Sequence, residues 1–166
     1  MTIVIRALFL MFILPSVVFS ADHPGHENTS NGGVDKLSTE LRALLSQEMF
    51  ALQRGMMSII PAYISGKWDK IELTANKMKN SYILKQSLTE SQKKELHLLL
   101  PQAFIEKDRK FHYLAGMLEH AAKMKKVELI NFYFSEMNES CVGCHAVHAT
   151  QKFPALAIKE SSSHKN

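Results

Sequence analysis

The sequence predicts an all-α chain folded as an antiparallel, up-down-up-down four-helix bundle. Three observations lead there. Of the 166 residues 46% are hydrophobic, while Gly and Pro number only 7 and 5, which favours helices over a turn-rich β fold. Apolar residues recur every three or four positions in four long segments. The links between these segments are short, which makes successive helices antiparallel neighbours. The length suits one domain, and the sequence contains no internal repeat.

The elements follow in order. Met1 to Ser20 place Arg6 ahead of an apolar run, Ala7 to Val18, and close on the small residues Val18 and Ser20. That is the pattern of a secretory signal peptide cut before Ala21. A membrane anchor needs roughly twenty unbroken apolar residues. This run is 12 residues long and contains Pro15, so no span is expected after cleavage. Residues 21–36 are polar and read as a flexible leader, in which His23 and His26 are incidental.

The bundle is expected over residues 37–150. Ser38 is a good N-cap for a first helix with the stripe Leu41, Leu45, Met49, Leu52, Met56, Ile59 and Tyr63, which ends at Gly66. Pro61 should kink its last turns. A second helix from about Lys67 turns Trp68, Ile71, Ala75, Met78 and Tyr82 inward. Thr89 and Gln92 form a capping box that opens a shorter helical piece through Leu100, part of the connection. Pro101 starts a third long helix whose inner face is Phe104, Asp108, Phe111, Ala115, Leu118 and Ala122. Lys123 to Lys126 turn the chain. The fourth long helix carries Val127, Ile130, Phe134, Met137, Cys141 and Cys144 at alternating steps of three and four, a continuous seam expected to be buried. Residues 151–166 read as a polar tail.

The formal charge is +4, or +3 without the first twenty residues, which hold Arg6 and no acid. That is too weak and dispersed to indicate nucleic acid. A mildly basic surface suits an acidic redox protein partner, and equally suits plain solubility.

Both cysteines of the chain lie in Cys141-Val142-Gly143-Cys144-His145. The string C-x-x-C-H is the attachment signature of a c-type haem. Its chemistry needs two thiols placed to add across the two vinyl groups of one porphyrin, and an imidazole beside them for the iron. On a helix, i and i+3 share a face and i+4 lies next to them, so the three side chains aim at one object. One haem c per chain is therefore the expected cofactor, tethered by Cys141 and Cys144, with His145 as the proximal iron ligand. Two other readings compete. A thioredoxin-like dithiol wants its first Cys at a helix N-terminus in a βαβ pattern, and here it lies near a helix end with no strand nearby. Cys141, Cys144, His145 and His148 are four admissible zinc ligands, but their spacing along one helix makes tetrahedral closure awkward.

With four helices and C-x-x-C-H near the end of the last, the chain resembles the class II cytochromes c, the cytochrome c′ family. The likeness covers about Ser38 to His148. It implies a four-helix bundle around one haem, the motif histidine as proximal ligand, and, in low-spin members, a methionine of the first helix as distal ligand. High-spin members leave that side open and bind small gases such as nitric oxide. The resemblance also implies a cation close to the haem propionates, matched here by Arg42, and a homodimer through the first two helices. Family members tend to carry an aromatic residue and then Arg shortly after the motif histidine. This chain has His148 and Ala149 there, with Lys152 the nearest cation.

Height along the bundle selects among the methionines of the first helix. His145 lies 19 residues beyond Lys126, roughly 28 Å at about 1.5 Å per residue. The same distance back from Ser65 reaches Ser46, within one turn of Met49, whereas Met56 and Met57 stand about 15 Å or more too high. Met49 is thus the expected distal ligand of a low-spin-like site, with core packing as its plain alternative. His112 is the best of the histidines as a substitute, ahead of His97 and His120. Phe104 and Phe111 are expected haem contacts, although aromatic core packing explains them equally. Lys107 and Arg109 read as a solvated charged face. The sequence shows no nucleophile and base pairing, phosphate loop or carboxylate pair, so a periplasmic electron carrier rather than an enzyme is the expectation.

Overall fold

The computed structural model describes residues 33–81, 83 and 88–157. The expected signal peptide, nearly all of the leader, Tyr82 and the end of the tail lie outside them. The described residues form five α-helices and no strand: α1 (Thr39–Ile64), α2 (Trp68–Asn80), α3 (Glu90–Leu99), α4 (Gln102–Lys123) and α5 (Val127–His148). Short 3-10 turns precede α1 at Val34–Lys36 and follow α5 at Pro154–Leu156.

The helix limits follow from local chemistry. The Ser38 hydroxyl accepts from the Leu41 N–H at the start of α1, and Pro61 is carried inside the helix. α1 stops because Gly66 takes the left-handed conformation, φ 64°, which costs glycine nothing. The N–H of Lys67 then reaches back to the carbonyl of Ala62. α4 ends in the same manner with Lys125 at φ 53° and Lys126 bonded to Ala121. At the head of α3, Thr89 and Gln92 form the expected capping box.

Two apolar cores result. One joins Leu52, Met56 and Ile59 of α1 to Ile71, Ala75 and Met78 of α2, the inner face of α4 from Phe111 to Ala122, and Ile130 and Met137 of α5. The other gathers Leu37, Leu41, Leu45, Ile83, Leu88, Leu96, Leu100 and Phe104, with α3 closing that end. Met49 packs against both. α4 lies closely along α2 and α5, and α1 along α2, whereas the flank between α1 and α5 is not closely packed.

That open flank explains the main departure from the sequence pattern. All six residues expected on the inner face of α4 are buried. Of the seam expected on α5, only Ile130 and Met137 are; Phe134, Cys141 and Cys144 are half-buried and Val127 is exposed. Phe134 and Cys141 pack at the margin of the larger core, where α1 and α5 do not approach closely. On α1 the stripe holds at Leu41, Leu45, Leu52, Met56 and Ile59, but Glu48 and Ala62 take the most buried places where Met49 and Tyr63 were expected.

A Cβ added at Gly55 of α1 would fall 2.6 Å from Met78 Sδ of α2. A Gly55→Leu variant must therefore displace the buried Met78 side chain from the core. It should lose about 1–3 kcal/mol of stability, read as a lower Tm in a thermal melt.

Candidate functional site

α5 places Cys141, Cys144 and His145 in its last two turns, and the helix runs on unbroken to His148. Cys141 and Cys144 are free thiols. Burial pushes both thiols above the ordinary cysteine range, Cys144 to about 11, with the Asp108 carboxylate adding to the effect. At neutral pH both are protonated. A dithiol exchange centre needs the opposite, a thiolate stabilised at a helix N-terminus. On α4, Lys107 stands beside this turn: a Cβ on Gly143 would lie 3.8 Å from its Nζ.

His145 is flanked on one face by Phe153, the ring centroids 4.4 Å apart and the planes 13° from parallel. Burial, and then the positive charge of Lys152, hold its pKa below the usual histidine value. A neutral imidazole at pH 7 is the form that binds a metal. His148, one turn past the motif, makes a T-shaped contact with Phe104, the ring centroids 5.4 Å apart. Its Nε2 is buried with no hydrogen-bond partner among the described residues, and burial followed by Lys107 lowers its pKa too.

A relay of side-chain contacts links α1 to the motif. Lys152 Nζ sits over the Phe50 ring at 5.4 Å and over Phe153 at 5.9 Å, and Phe153 lies on His145. Met49, one residue from Phe50, is half-buried and packs against both apolar cores.

The inward residue of that turn is Glu48, 4% exposed. It faces His112 of α4, whose Nε2 is 3.7 Å from Glu48 Oε1 and 3.5 Å from Asp108 Oδ1. His112 Nδ1 lies 2.8 Å from the Met78 carbonyl oxygen, so Nδ1 carries the donated proton. Burial, and then the neighbouring Asp108, push the Glu48 carboxyl up to about 7. This cluster bears against His112 as a sixth ligand, since its ring is engaged by α2 and by two carboxyl groups. Among the described residues no group of three or more His, Cys, Asp and Glu side chains is arranged to hold a metal ion, the zinc set included.

The other expected residues are dispersed. Arg42 is exposed, two turns from Met49 along α1, and its guanidinium donates to Thr39 Oγ1 at 3.5 Å. Phe111 is buried in the core against which Cys141 packs, with its ring 5.6 Å from that of His112. His97 and His120 are exposed. Sequence reasoning missed Glu48, Phe50 and Phe153. Asp108 and His112, one turn apart on an inward face, did signal that a buried polar partner was required, but not which residue supplies it. The contacts of Phe50 and Phe153 arise from a chain reversal after α5 that leaves no periodic trace.

No protein-family model, curated protein or solved structure matches the chain.

Proposed function

We propose that the chain is an exported monohaem cytochrome of the c type, a class II-like up-down-up-down four-helix bundle that carries single electrons between redox proteins in the periplasm. One observation carries this reading. Cys141, Cys144 and His145 share the end of α5, half-buried on a helix that does not pack closely on α1, with Phe50 of α1 joined to His145 through Lys152 and Phe153. The residues fit the group. Cys141 and Cys144 would tether haem by thioethers, and neither is sealed in the core. His145 would offer a neutral imidazole, and Met49 a soft thioether from the facing helix. When bound, haem supplies a one-electron iron couple, and sulfur ligation favours its ferrous form.

Glu48 supports a second reading. It holds the most buried position of the Met49 turn, leaving Met49 only half-buried. If Met49 only packs, the site is five-coordinate and suited to binding small gases. An optical spectrum of the matured protein decides. The expected result is a low-spin ferric spectrum with a far-red sulfur-to-iron band that Met49→Ala abolishes. A high-spin spectrum in the wild type, with ready carbon monoxide or nitric oxide binding, establishes the second reading instead.

A further inference from the structure

We propose that Phe153 is a positioning residue, which fixes the plane in which His145 presents its imidazole to iron. The inference rests on the haem reading above. A histidine has a broad, soft torsion at its ring, so a ligand near a helix end has no inherent orientation. Here the chain supplies one. After α5 ends, the N–H groups of Lys152 and Phe153 both bond the carbonyl of Ala149, at 3.0 and 2.9 Å, and the chain reverses within four residues. The reversal lays Phe153 on the imidazole, 4.4 Å away and 13° from parallel. The aromatic ring is itself held from two sides. Lys152 Nζ bridges it to Phe50 of α1, and the turn Pro154–Leu156 packs back on α5.

The geometry suits a ligand. The lone pair of an imidazole lies in the plane of the ring, so a partner on the flat face restrains rotation and leaves the bonding edge uncovered. Within the motif Val142 is exposed and Gly143 has no side chain, so the stacked partner comes from beyond the helix. The residues following α5 thereby belong to the site as well as to the chain's end.

The test compares the matured wild type with Phe153→Ala and Phe153→Tyr. A pyridine haemochrome assay first measures covalent haem in each, and the ferric electron paramagnetic resonance spectrum then reports the orientation of the axial ligand. The expected result is full haem content in all three, one set of g values in the wild type and in Phe153→Tyr, and shifted or multiple sets in Phe153→Ala. Where the alanine variant does not accumulate, Phe153→Leu, which keeps bulk but has no flat face, takes its place. Spectra of the aromatic and non-aromatic variants that superimpose would overturn the assignment. A wild type without covalent haem would instead remove the reading on which it rests. The two failures differ further in the apoprotein: the ring-current upfield shift of the His145 ring protons, lost in Phe153→Ala, demonstrates the stack independently of haem.

Discussion

Replacing both Cys141 and Cys144 by serine is expected to abolish covalent haem completely while leaving the helical fold in place. The loss should be total because these are the chain's two cysteines and both are free thiols on one face of α5. The fold should survive because each thiol is half-buried and neither belongs to the sealed cores. A serine hydroxyl at such a site costs on the order of 1 kcal/mol each. Mass spectrometry of protein matured in a host that attaches haem checks the first part, and far-ultraviolet circular dichroism the second. A single Cys→Ser variant should keep one thioether. Wild-type material without added mass would refute the haem assignment.

The second large effect concerns the acidic cluster behind Met49. Burial raises the Glu48 carboxyl from an ordinary value of 4.5 to about 7. The folded protein therefore binds a proton here over a pH range in which the unfolded chain has released it. Stability contributed by this group is full below about 4.5, falls as pH rises through about 7, and levels off above. At about 1.4 kcal/mol per unit, the loss is on the order of 3 kcal/mol. The haem-free Cys141→Ser/Cys144→Ser protein isolates the effect. Its stability relative to the same protein bearing Glu48→Gln should decline by that amount between pH 4.5 and about 7, followed by urea unfolding at each pH. A difference that does not vary with pH would show that Glu48 ionises normally. Glu90 and Glu119, whose carboxyl pKa values are lowered by the ammonium groups of Lys93 and Lys79, act in the opposite sense and cancel in the comparison.

How much of this was legible depends on whether a residue's neighbours are close in sequence. All six residues read as the inner face of α4 are buried because its period is local, while His112, Leu114 and Ala121 are buried as well because the helix is packed on both sides, by α2 and by α5. The capping box at Thr89 was equally local. On α5 the period was correct but the burial was not, since a periodic stripe says which face turns inward and not whether another helix covers it. On α1 the stripe missed Glu48, because a carboxylate is not counted as an inward residue unless its partners on another helix are known. At the motif, Cys141, Cys144 and His145 were identified by spacing alone. Phe153 was beyond reach, because its contact depends on a reversal of the chain after α5.

The division of the interior into two cores has a thermodynamic consequence. Among the described residues Met49 packs against both, and α1 and α4 run through both, so the α3 end and the α2–α4 end are joined chiefly through those helices and the Glu48–Met49 turn. Such ends behave as separate opening units with different amide-exchange free energies. Any interaction that immobilises Met49 then raises the protection of both units together, and fuses two modest cooperative blocks into one.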